Sequence, residues 1–146
     1  MVPDLVVNPF PRLTSDSYKQ TSSPTPDYNC IAWAAGEDDR WWWPDAADIY
    51  YWPEQVVRAE TVDAFVQSFA LLGYCQCETG QYENGFEKVV LYQSSASGKP
   101  THMSRQLADG SWTSKLGQNI DINHYDVSGL CGPAYGEAVV FMKRPA

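Results

Sequence analysis

Cys30 is the residue in this chain best placed to do chemistry. It opens an apolar run in "PDYNCIAWAAG" (26–36), after Asp27 and Asn29 and before Gly36. A thiol attacks as its thiolate. A helix N-terminus lowers a cysteine's pKa, and a neighbouring histidine lowers it further. The chain has two histidines, so the base is His102 or His124. In "KPTHMSRQLADGSWTSKLG" (99–117), His102 stands where a strand should begin, whereas His124 lies in the irregular "DINHYD". The expectation is a Cys30–His102 dyad. His102 takes the thiol proton and the thiolate attacks an amide carbonyl. The imidazolium then protonates the leaving amine, and water hydrolyses the thioester. Backbone N–H groups near Cys30, helped by Tyr28 or Asn29, would hold the oxyanion. Trp33, Trp42 and Trp43 would line the substrate cleft, and the clusters Trp41–Trp43 and Tyr50–Trp52 would form an apolar wall over Cys30 that excludes water.

Other reactive patterns are weaker. Cys75 and Cys77 share one face of a strand and could bind zinc with Cys131 and His124. Zinc ligands are usually spaced C-x₂₋₄-C in a turn, so no metal is expected. "GLCGPAYG" (129–136) lacks a phosphate loop's lysine and reads as a connector. No cofactor is expected.

The elements that must position the dyad follow from periodicity. Residues 1–27, rich in Pro, Ser and Thr, read as an irregular arm before a single domain over 28–146. Tyr28 to Gly36 reads as a short helix that Asp27 or Asn29 can cap and Gly36 can end. "WWWPD" (41–45) is echoed by "YYWPE" (50–54), and the prolines forbid a continuous helix there. Residues 60–73 form the clearest helix, with Thr61 as N-cap, Phe65 and Phe69 on the apolar stripe, and Gly73 at the end. The period then shortens to two. Strands are expected over Tyr74–Glu78, Phe86–Gln93, Thr101–Leu107, Ser111–Lys115 and Ala138–Lys143, with Asp109-Gly110 turning a hairpin. Helices first and strands afterwards predict an α+β fold, with N-terminal helices on a meandering antiparallel sheet of about five strands.

Composition bounds the function. The chain has 146 residues, 44% apolar and 14% aromatic, enough for one core. A formal charge of −8 argues against nucleic-acid partners, which need excess Lys and Arg, and against docking on anionic membranes. No run approaches a membrane span of roughly 18 to 20 apolar residues. The start lacks a signal peptide's basic region. A cytoplasmic protein with reduced thiols is expected, or one exported by a dedicated secretion system.

Motif order adds a resemblance. "NCIAWA" (29–34) resembles the nucleophile helix of papain-like thiol hydrolases, particularly the compact NlpC/P60 and CHAP peptidases and amidases of bacteria. "HMSR" (102–105), Asp109-Gly110 and "WTSK" (112–115) resemble their histidine hairpin. The likeness spans roughly residues 27–117 and extends to small bacterial proteins with NC-x-AWA and W-x-SK-x-G signatures. It implies a papain-like fold and a peptide or amide substrate. It also implies, by analogy with bacterial effectors and toxins, a protein partner such as an immunity protein or a host target. The residue that orients the histidine would be Ser114 by position, with Asp121, His124 or Asn119 as replacements. A tight hairpin could instead set Thr113 or Lys115 beside His102. The competing expectation is an acidic, non-enzymatic binding protein: an immunity protein, an adaptor, or a phage-type inhibitor. It could also be a decayed thiol hydrolase. The two part on geometry, since a working dyad needs Cys30 and His102 within reach of each other in one cleft.

Overall fold

The computed structural model describes residues 10–12, 14, 16–116 and 120–146. Seven strands form one sheet: β1 (Tyr18–Gln20), β2 (Cys75–Cys77), β3 (Phe86–Gln93), β4 (Pro100–Gln106), β5 (Trp112–Lys115), β6 (Asp121–His124) and β7 (Glu137–Pro145). Neighbours are antiparallel throughout, in the order β1-β6-β5-β4-β3-β7-β2. Two α-helices accompany them, α1 (Cys30–Ala34) and α2 (Val62–Ala70), with one 3₁₀ turn at Val127–Leu130.

This corrects the expected α+β, papain-like plan of helices on about five strands. The fold is β-rich, and the helices are five and nine residues long. The two additional strands have weak local signals. β1 lies in the Pro/Ser/Thr-rich arm and is ordered by β6, Tyr18 facing His124 and Gln20 facing Ile122, while β6, in "DINHYD", pairs on its other edge with β5 along its whole length. Pairing across that distance in sequence leaves no mark in local period. The arm is therefore part of the sheet from Tyr18, and Phe10 is buried beneath it. Asn119 and residues 1–9, 13 and 15 lie outside the described residues.

The local signals are borne out. Thr61 Oγ1 accepts from the Ala64 N–H at 3.1 Å and starts α2. Gly73, at φ +94°, ends it in the left-handed conformation that glycine adopts without strain. Asn29 Oδ1 accepts from Ala32 N at 3.1 Å and starts α1. The Asp109-Gly110 turn joins β4 to β5, and Asp109 takes the Ser111 N–H and hydroxyl.

Both faces of the sheet are covered, which is why β3 reads as a continuous "VVLY" rather than an alternation. One face carries α1, α2 and the aromatic segment. There Ile31, Phe65, Phe69, Leu91 and Met103 form a core that includes Cys30. The other face carries Phe10 and the 3₁₀ turn, packed on Val90, Tyr92, Trp112, Ile122 and Leu130. Within each regular stretch of strand, parity assigns neighbouring side chains alternately to these two layers, and the register shift beside Tyr92 resets it along β7, so that Ala138 and Val140 face opposite cores.

Candidate functional site

Cys30 is the first residue of α1 and lies under the aromatic segment. The two echoed motifs face each other: Trp43 N–H donates to Tyr51 O at 2.9 Å, and Tyr51 N–H donates to Trp41 O at 3.1 Å. Asp45 closes the loop between them by accepting from the Ile49 and Tyr50 N–H groups, and Arg58 clamps it through Asp45 and Tyr50 O. Trp41 stacks on Tyr50 at 5.4 Å between ring centroids. This arrangement leaves a pocket of about 350 Å³ walled by Cys30, Trp41, Trp43, Tyr50, Thr101 and Tyr135. Its polar groups are largely occupied within the protein. Trp41 Nε1 donates to Pro26 O, and Thr101 Oγ1 donates to Tyr135 O. Asn29 binds Ala32 N, Trp42 N and Trp42 O. The pocket is thus a largely apolar site with a thiol in its wall.

The expected dyad is not assembled. His102 pairs with Tyr92 across β3 and β4, while its neighbour Met103 pairs with Leu91. Met103 and Leu91 lie in the core with Cys30; Tyr92 belongs to the opposite core. His102 therefore projects from the sheet face away from Cys30. It is fully buried, stacked on the Tyr135 ring at 4.1 Å and 6°, with Tyr92 5.3 Å away. Neither ring nitrogen has a hydrogen-bond partner. Burial, and then His124, hold its pKa well below the ordinary histidine value, so it is neutral. Burial likewise pushes the Cys30 thiol up to about 11, partly offset by backbone N–H groups including that of Met103. A neutral thiol beside no base is not an activated nucleophile.

The expected third residues also have other work. Ser114 lies on the His102 face but contacts Ser104 Oγ at 2.6 Å and His124 Nε2 at 2.7 Å. His124 Nδ1 lies 2.9 Å from Asp126 O. A carbonyl only accepts, so Nδ1 carries the proton and Nε2 accepts from Ser114. This Ser–His pair has the spacing of a nucleophile and its base. Ser114 and His124 are both buried, however, and no described pocket reaches them. Asp121 instead accepts from the Tyr28 hydroxyl at 2.5 Å. Burial and then that carboxylate push the phenol up to about 12. Thr113 accepts from Trp33 Nε1 at 2.9 Å. Lys115 Nζ donates to Thr25 O at 2.8 Å and lies 4.9 Å over the Tyr28 ring. Tyr28, Trp33, Thr113, Lys115 and Asp121 therefore fasten α1 and the arm to the sheet.

Of the expected substrate contacts, Asn29 and Trp43 line the pocket. Trp42 is buried, its indole N–H on Glu37 at 2.8 Å, and serves as core. Trp41 and Tyr50, from the two aromatic clusters expected to wall the cleft, do line it; Thr101 and Tyr135 carry no such expectation. The "WWWPD"/"YYWPE" echo is the signal that finds the first two; Tyr135 arrives from the far end of the chain with no local sign. Among the described residues no cluster of His, Cys, Asp and Glu could hold a metal ion. Nor is any helix there long and apolar enough to cross a membrane.

No curated protein and no solved structure matches the chain. A family described as a domain of unknown function (DUF7689) matches residues 19–143, from the first sheet strand to the last. That span holds the whole Cys30 pocket and all of both cores except Phe10 and Tyr18, and the chain belongs to the DUF7689 family.

Proposed function

We propose that this domain is a binding module, and that the Cys30 pocket takes one apolar group about the size of an aromatic side chain. The observation that carries the reading is the pocket itself. Its volume is at the small end of ligand sites, its walls are aromatic, and its polar atoms are largely committed internally. The net charge of −8 favours a ligand borne by a basic protein or peptide. The test is titration with a neutral apolar probe, indole, followed by intrinsic fluorescence and by protection of Cys30 from iodoacetamide. Binding should protect Cys30 and should be lost in Trp43→Ala. Binding that leaves Cys30 unprotected and survives Trp43→Ala would overturn the reading.

A second reading keeps Cys30 as the nucleophile of a thiol peptidase or amidase. What favours it is that the thiol lines an aromatic cleft. Against it stand the raised thiol pKa and the placement of His102 on the other face. Alkylation between pH 4 and 9 decides it. Preferential Cys30 labelling at or below about pH 6.5, lost in His102→Ala, would establish an activated thiolate. Labelling only at alkaline pH leaves the binding reading.

A further inference from the structure

A second pocket lies on the opposite face of the sheet, over the core that excludes Cys30. It has a volume of about 380 Å³ and is walled by Tyr82, Trp112, Tyr125 and Phe141, with Gln106 and Asp126 as its polar residues of interest. Tyr82 and Tyr125 are exposed, at 46% and 67%, large apolar surfaces flanking one site. Gln106 is 7% exposed. Its Nε2 donates to Gly80 O at 2.8 Å and to Gly110 O at 3.4 Å, both in the pocket wall. Its Oε1 has no partner. A buried amide oxygen without a donor is costly; it is closed to solvent, so a ligand N–H satisfies it once the Gln106 side chain turns toward the pocket. Asp126 precedes the Val127–Leu130 turn, and its side chain makes no capping bond there.

We infer that this pocket receives a guanidinium group, the side chain of an arginine on a basic protein or peptide partner. The uncommitted amide and carboxylate atoms, Gln106 Oε1 and the Asp126 carboxylate, only accept hydrogen bonds; the hydroxyls of Tyr82, Tyr125 and Ser128 serve either way. Guanidinium has five N–H donors and no acceptor. It is planar and weakly hydrated, so it stacks on aromatic faces such as those of Tyr82 and Tyr125. No Lys, Arg or His lines the pocket to repel it. An ammonium would supply the charge without the planar stack. A neutral sugar would leave the Asp126 carboxylate without a counter-charge.

The site is independent of the Cys30 pocket, so either can fail alone. The probe is Nα-acetyl-arginine methylamide, titrated to about 20 mM into ¹⁵N-labelled full chain and followed by NMR at the weak affinity a single side chain supplies. Saturable shifts at the Gly80 and Gly110 amides and the Trp112 indole are expected. The lysine and norleucine analogues should give no more than a third of that effect. Asp126→Asn and Tyr125→Ala, both at exposed positions, should each weaken binding by about threefold or more while leaving the melting temperature unchanged. No shifts at these residues, equal shifts from the lysine or norleucine analogue, or stronger shifts from methyl glucoside would each overturn the assignment.

Discussion

Acid should weaken this fold well above the range where carboxylates titrate. His102 and His124 are the only two histidines and both are almost fully buried. Burial lowers both pKa values, that of His124 to about 4 and that of His102 well below its ordinary 6.5. The unfolded chain regains the ordinary value. A depressed folded pKa favours the neutral form, so its stabilisation is complete above about pH 6.5. It is lost as pH falls below 6.5 toward the folded values. At pH 5 each unfolded histidine holds almost a full proton, while the folded ones remain neutral. The gap of about 1.5 pH units costs about 2 kcal/mol per histidine, or about 4 kcal/mol for the pair. That is a large share of a total stability of roughly 5–15 kcal/mol. The assay is urea unfolding followed by tryptophan fluorescence at pH 8, 7, 6 and 5, in wild type, His102→Gln and His124→Gln. Stopping at pH 5 leaves Glu37, Asp45, Glu83 and Asp109 out, because interactions lower their pKa values and their contributions fail only in stronger acid. Each variant should show a pH-dependent loss smaller by about 2 kcal/mol. A wild-type loss below about 1 kcal/mol between pH 8 and 5, or variants that keep the full slope, would refute the burial of neutral histidines.

Four further outcomes test the packing. A Cβ on Gly136, at φ +80°, would lie 1.9 Å from Gln93 O, so Gly136→Ala should lose more than about 4 kcal/mol in a urea melt or fail to fold. Gly85→Ala, at φ +89° with nothing within 4 Å, meets only backbone strain and should lose about 1–2 kcal/mol. Phe65 is fully buried between Trp43 and Trp52, so Phe65→Ala should cost about 3–5 kcal/mol and change the tryptophan emission of the folded state. In peptide-mapped alkylation at pH 8 the exposed Cys75 should react at least about tenfold faster than Cys30, whose thiol is buried and protonated.

How much of this could be read in the chain depends on the range of the cause. Thr61, Asn29, Gly73 and the Asp109-Gly110 turn act on backbone within three or four residues, and all four are where their types and spacing predicted. The strands over Phe86–Gln93 and Trp112–Lys115 also match, because side-chain period marks them locally. β1 does not, because it is ordered by β6 across about a hundred residues, and β6 does not, because its pairing with β5 and β1 comes without an alternating period in "DINHYD". The pocket was legible in part. The echoed aromatic motifs marked one wall, but Thr101 and Tyr135 reach it from strands and turns that share no motif with Cys30.

By itself, then, the sequence determined the caps, turns and central strands, the acidity, and that Cys30 would begin a short helix. The side of the sheet on which His102 would lie was decided only by the tertiary structure. Adjacent strand residues point to opposite faces, so a register setting Met103 toward α1 sends His102 into the other core. No residue near His102 carries that parity. It is set by how β4 pairs with β3 and by which face α1 covers, and both are long-range packing choices.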